Sequence, residues 1–132
     1  MKRNKVIIAG SREITDFQIV EFDIYKTLYE MKISDPIIVS GCASGVDRLG
    51  EEFAEKYGFE VKRFPAFWKK YGKGAGKMRN EKMAVFCSDD DTELGILIAF
   101  PLKGRSRGTW DMIHRAMKHN LEVYVFEKEL PE

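Results

Sequence analysis

Three short stretches of the 132-residue chain combine glycines, hydroxyls and charged groups at spacings suited to holding an anion. The first, "AGSRE", brings Gly10, Ser11 and Arg12. The second, "SGCASGVD", brings Gly41, Ser44, Gly45 and Asp47. The third, "GRSRGTWD", brings Ser106, Arg107, Gly108 and Thr109. Each follows an apolar run, and in the second and third an amphipathic stretch begins directly at the turn. The opening N–H groups of a helix, with the positive end of its dipole, favour a phosphate or carboxylate. Arg12 offers a phosphate a fork of donors. Asp47 either favours the positive helix end or accepts from a ribose hydroxyl, and Thr109 either caps its helix or donates to a phosphate. A glycine after a strand is by itself only a tight turn. Three such turns on one sheet edge describe a cradle. Neither GxGxxG nor GxxxxGK[ST] is present, which excludes the usual dinucleotide fingerprint and the P-loop.

A fourth stretch, "RFPAFWKKYGKGAGKMRNEKM", interleaves Phe64, Phe67, Trp68 and Tyr71 with Lys69, Lys70, Lys73 and Lys77. Aromatic faces stack on bases while cations meet phosphate, so Trp68 and Tyr71 are candidate base contacts. A loop with half-buried aromatic anchors, or a lid hinged at Gly72, Gly74 and Gly76, reads equally well. Arg79 and Asn80 open the next helix and point back toward the crevice. Other chemistry is poorly supported. Cys42 has no histidine nearby in sequence and reads as a small turn residue. His114 and His119 are five residues apart, off a common helix face, so no metal site is expected. The acidic run "SDDDTE" reads as a solvated loop, and no Ser-His-Asp arrangement or cofactor motif is evident.

The elements that position these residues follow from periodicity. "KVIIAGS", "DPIIVSG" and "ELGILIAF" are apolar on both faces and read as buried strands, with "FEVKRFPAF" and "LEVYVFE" as two further strands. Phe17, Val20, Ile24, Leu28 and Met31 recur at helical spacing, opened by a capping box at Thr15 and Gln18. Val46, Leu49, Phe53 and Tyr57 do the same and stop at Gly58. "MRNEKMAVFCS" reads as a helix with Met78, Lys82 and Phe86 in one row. "GTWDMIHRAMKHN" reads as a helix with Trp110, Ile113 and Met117 inward, ending at a left-handed Asn120. Strands alternating with helices predict a single α/β domain over 1–132. It is a Rossmann-like, three-layer arrangement with a mostly parallel sheet of about five strands and helices on both faces. All strand C-termini then share one edge, where ligands of open α/β sheets bind.

Bulk properties narrow the classes. Charged residues are 33% and the net charge is +1, which does not point to nucleic acid or a membrane surface. No stretch approaches the roughly 20 apolar residues that span a bilayer. The apolar run near the N-terminus is shorter than the roughly 7–15 residues of a secretory signal. Two cysteines without framework spacing fit a reduced, cytoplasmic protein.

"GSRE", "IIVSGCASGVDRLGEEFAEKYG", "FPAFWKKYGKGAGKMRNEKM" and "RSRGTWDMIHRAMKHNLEVYVF" together resemble the YspA-type, cpYpsA-related SLOG family, within the SMF/DprA–LOG superfamily of Rossmann-like proteins. The resemblance implies a pocket for a nucleotide or nucleotide-derived, ADP-ribose-like ligand on the strand C-terminal edge. Its catalytic relatives are phosphoribohydrolases with a PGGxGTxxE motif and an upstream arginine. Gly108 and Thr109 match that motif, Met112 stands where its glutamate falls, and Asp111 lies one residue earlier. One residue turns a helical side chain by about 100°, which puts the hydrolase in question. The resemblance makes Asp111 and Arg79 the catalytic candidates for cleaving a base–ribose bond. DprA-like relatives bind single-stranded DNA, against which the near-neutral charge argues. Homo-oligomers paired through helices are also implied.

Overall fold

A computed structural model describes residues 2–131. The chain runs β1 (Arg3–Gly10), α1 (Phe17–Glu30), β2 (Ile37–Ser40), α2 (Val46–Tyr57) and β3 (Glu60–Arg63). It continues through the one-turn α3 (Trp68–Tyr71), a 3-10 turn at Gly72–Gly74, α4 (Ala75–Phe86), β4 (Thr92–Phe100), α5 (Arg107–Lys118) and β5 (Glu122–Val125). The five strands form one sheet of order β3-β2-β1-β4-β5, and every neighbouring pair is parallel. This is the Rossmann-like α/β fold that the alternating pattern predicts.

Successive side chains of a strand point to opposite faces, so the apolar run of β1 divides between two cores. Val6 and Ile8 pack with Val20, Ile24 and Leu28 of α1 and Leu49 and Phe53 of α2. Ile7 and Ala9 pack with Met83 and Ala84 of α4 and Met112, Ile113 and Ala116 of α5. Both faces of the sheet are thereby covered. No helix among the described residues is long and apolar enough to cross a membrane.

Several local expectations change. The N-cap of α1 is Asp16, whose Oδ1 accepts from the Gln18 N–H at 3.0 Å. The helix starts at Phe17, which leaves Thr15 a residue too far away to cap it. β3 ends at Arg63 rather than running on to Phe67. α4 begins at Ala75, so Arg79 and Asn80 lie in its second turn. Its buried positions are Ala75, Asn80, Met83 and Ala84 rather than the Met78, Lys82 and Phe86 row. On α5 the inward residues are Thr109, Met112, Ile113 and Ala116. Trp110 and Met117, expected inside, are exposed. Two stripes compete on that helix, and the one with small Ala116 and Thr109 lets the helix approach the sheet. Gly58 and Asn120 take the left-handed conformations that end α2 and α5, with φ of 75° and 62°.

The site is positioned by β1, whose neighbours are β2 on one side and β4 on the other. From β1 the chain winds outward through β2 and β3, then crosses back to lay β4 against the opposite side. Strand order reverses between β1 and β4, which stay paired to Gly10 and Phe100, and the loops that follow them diverge to leave a crevice. α4 returns across the sheet from that edge. Its far end is anchored by buried Lys5, whose Nζ donates to the Phe86 carbonyl and to Asp89, each at 2.9 Å. This anchor holds the first turns of α4, with Arg79 and Asn80, over the crevice.

Candidate functional site

Buried polar side chains mark the site. Among the described residues seven polar or charged ones are buried, and four of them, Ser11, Asp47, Asn80 and Thr109, line one compartment of about 230 Å³ at the strand edge. Gly10, Arg12, Arg79, Ser106 and Gly108 complete its sequence-predicted lining. The turns after β1, β2 and β4 therefore gather at one rim. A larger crevice of about 1110 Å³ is bordered by Trp68, Arg107 and Asp111, together with Arg12, Arg79, Asn80, Ser106 and Gly108. The last five residues line both spaces and form the neck between them.

The remaining predicted residues lie elsewhere. Ser44 is exposed and borders neither space. Gly45 supports the rim from behind. Its φ is 77°, and a Cβ there would lie 2.3 Å from the Ser11 carbonyl oxygen, so glycine is required for backbone packing. Gly41 offers its carbonyl to an Arg79 guanidinium N–H. Tyr71 faces a separate groove with Phe67 and Lys82.

Two helix starts reach the rim, and they differ in what they offer. The first N–H of α2, from Val46, donates to the Ser11 carbonyl at 3.1 Å. By contrast, the N–H groups of Arg107, Gly108 and Thr109 at the start of α5 have no acceptor among the described residues. Ser106 does not cap them. It sits at φ 80°, and its Oγ accepts from the Leu102 N–H at 2.9 Å, bracing the loop instead. At Gly108 a Cβ would meet nothing within 4 Å, leaving room for a guest against the backbone. Such a terminus attracts anions.

The charges are arranged around Asp47. Its Oδ2 accepts from the Ala43 N–H at 3.2 Å. Burial raises its pKa to about 6, against the Ala43 hydrogen bond and the attraction of Arg79 and Arg12, with Glu51 repelling it further. Burial likewise lowers the pKa of Arg79, reinforced by Arg12 and opposed by Asp47. Arg79 Nε donates to Asn80 Oδ1 at 2.9 Å, and Asn80 Nδ2 donates to Asp111 Oδ2 at 2.9 Å. Asp111 also accepts from Arg115 Nε at 2.9 Å. Burial acts to raise the Asp111 pKa, but the hydrogen bonds from Arg115 and Asn80 outweigh it and hold the carboxylate ionised. Asn80 thus ties Arg79 to α5. For Cys42, burial and Glu51 raise the thiol pKa, which disfavours a thiolate.

The outer crevice also holds residues to which the sequence assigns no site role. These are Trp110 and His114, with Lys73 and Lys77 of the aromatic and basic stretch beside them. A signal is present. Arg107, Trp110, Asp111 and His114 are spaced at i, i+3, i+4 and i+7 and so share one face of α5. Among the described residues no group of three or more His, Cys, Asp or Glu is placed to hold a metal.

A family model described as YAcAr: YspA, cpYpsA-related SLOG family matches residues 4–71, just over half of the chain. The chain belongs to this family. The match covers β1, α1, β2, α2 and β3, so it includes two of the three turns of the SLOG rim. No curated protein matches significantly. Among solved structures, DNA processing protein A (DprA) from Streptococcus pneumoniae is similar at 15% identity and a TM-score of 0.52. The match covers 92% of this chain and 58% of that one. At this identity the likeness supports the Rossmann-like fold. The SLOG chain spans less than two thirds of the DprA chain, and its rim residues must be argued from their own geometry.

Proposed function

We propose that the cleft binds a phosphorylated, nucleotide-derived small molecule of ADP-ribose-like kind. The observation that carries this reading is the convergence of the unpaired α5 N–H groups with Arg12 and Arg79 at the neck of the two compartments, beside Asp47 in the inner one. The N–H groups and guanidinium forks suit a phosphoryl group. Asp47 and Thr109 suit sugar hydroxyls, and the exposed indole of Trp68, with Arg12 at 5.8 Å from its ring, suits a base. SLOG membership supports a nucleotide-related ligand. A thermal-shift screen of nucleotides, NAD and ADP-ribose tests the reading. A ligand at a hundredfold its Kd adds about 2.7 kcal/mol of stability. A screen in which no phosphorylated nucleoside moves the melting temperature overturns it.

A second reading, cleavage of a base–ribose bond, is favoured by the ionised Asp111 at the outer edge of the neck. A fixed carboxylate stabilises an oxocarbenium-like sugar as the base departs and water adds to the anomeric carbon. Arg79 would hold the phosphate. Asp111→Asn then abolishes base release from nucleoside monophosphates or NAD while sparing binding. Absence of base release by the unaltered protein removes this reading and leaves the first intact.

A further inference from the structure

A separate groove of about 310 Å³ lies between the chain leaving β3 and α4, and its lining shares only Arg79 with the cleft. Phe67, Tyr71 and Met78 stand in it 54%, 39% and 40% exposed. The core uses none of them: the one-turn α3 buries no residue, and Met78 is not among the buried positions of α4. Three large apolar side chains exposed in one hollow mark an interaction surface. The groove also has a definite charge. Lys62, Arg63, Arg79 and Lys82 line it, and no carboxylate does. Arg63 is engaged by Glu51 at 2.9 Å. Lys62 and Lys82 form no ion pair among the described residues. Each instead lies over a ring of the groove, Lys62 at 5.7 Å from the Phe64 centre and Lys82 at 5.9 Å from that of Phe67.

β3 is the edge of the sheet, and no strand among the described residues pairs with its outer side. The Phe64 N–H donates inward, to the Ser40 carbonyl at 2.8 Å. Strand alternation then turns the N–H and C=O groups of Val61 and Arg63 outward. An open strand edge beside an apolar groove suits an extended peptide, which gains main-chain hydrogen bonds from the edge and specificity from the groove. We propose that this edge and groove dock an extended acidic segment of another protein. The segment adds a strand outside β3, seats one aromatic or leucine side chain among Phe67, Tyr71 and Met78, and brings carboxylates to Lys62 and Lys82. A second copy fits poorly. Two β3 edges related by a two-fold axis present the same face together and set Lys62 and Lys82 against their own copies. A single-stranded nucleic acid has no main chain complementary to a strand edge, and stacking of its bases needs ring faces that Lys62 and Lys82 already cover.

A phage-displayed library of random peptides of about ten residues, long enough for a strand, is panned on the whole protein to supply the probes. The expected sequences carry several Asp or Glu around one Phe, Trp, Tyr or Leu. By fluorescence anisotropy with the synthesised peptide, Phe67→Ser weakens binding at least tenfold, and so does Lys62→Glu with Lys82→Glu. Exchanging the acids of the peptide for lysines restores binding to that double variant, which a folding defect would not allow. Methylating single backbone nitrogens of the peptide abolishes binding at every second position and spares the positions between, the signature of an added strand. Recovery of no binding peptide, recovery of basic peptides, equal affinity in the variants, or no alternation on methylation overturns the proposal. So does retention of an oligothymidylate, or a dimer in analytical ultracentrifugation, that Phe67→Ser abolishes, since either gives the surface another occupant. None of these outcomes bears on the nucleotide reading of the cleft.

Discussion

Replacing Asp47 by asparagine changes one buried proton site and little else, which makes its consequence calculable. The carboxyl titrates at about 6 in the folded protein against an ordinary 3.8. That gap of about two pH units, at about 1.4 kcal/mol per unit, is worth about 3 kcal/mol. A carboxyl whose folded pKa is raised binds its proton more tightly when folded. Its contribution is fully present below pH 3.8 and is lost as pH rises through about 6. The unaltered protein therefore gives up about 3 kcal/mol from this residue between about pH 4 and pH 7. The amide of the variant does not titrate. The Asp47 pKa is raised mainly by burial, lowered in part by the Ala43 hydrogen bond and by the charges of Arg79 and Arg12, and raised further by Glu51. The charged groups and the burial of the site remain in the variant. Urea unfolding of both proteins, followed by circular dichroism at half-unit steps from pH 4 to 7.5, gives the stability difference at each pH. Other groups titrate in this range, but they do so in both proteins and cancel. The variant should gain on the original by about 3 kcal/mol across the range, with the midpoint of the change near pH 5. A constant offset from the altered Ala43 hydrogen bond leaves that slope untouched. A difference that is flat with pH, or that runs the other way, would refute the account of Asp47 as a buried carboxyl that Arg79 and Arg12 only partly compensate.

Arg79→Met removes the guanidinium that faces Asp47. It should weaken any phosphorylated ligand found by titration at least tenfold and move the Asp47 midpoint upward, read from the same pH series. Gly45→Ala and Gly108→Ala should behave oppositely. The first forces a Cβ into the Ser11 carbonyl at φ 77° and should cost about 2 kcal/mol or more. The second meets open space and should leave the melting temperature nearly unchanged while weakening ligand binding. Lys5→Ala strips the Phe86 carbonyl and Asp89 of their shared donor, and should cost about 2 kcal/mol in denaturant unfolding.

The strand edge is legible in the sequence because turn chemistry is local. Glycine, serine and arginine at the ends of apolar runs declare where a strand stops, whatever surrounds it. The parallel sheet is legible for a related reason: its strands are covered on both faces, and "VIIA" and "ILIAF" show that without any long-range information. The capping of α1 is ambiguous by one residue because Thr15 and Asp16 both suit the role, and only the true start of the helix selects between them.

The sequence on its own determined the order of elements, their parallel association, and the edge at which Ser11, Asp47 and Thr109 meet. Tertiary structure alone decided which stripe of α5 turns inward and thereby sends Trp110 and His114 to the crevice. It also decided that Ser44 faces solvent while Asp47, three residues on, is buried. The physical reason is that burial and electrostatic coupling belong to no single segment. The proton affinity of Asp47 is raised by burial and drawn partly back by Arg79 and Arg12, which are 32 residues after it and 35 before it in the chain, and that burial and proximity exist only once β1, α2 and α4 share one edge.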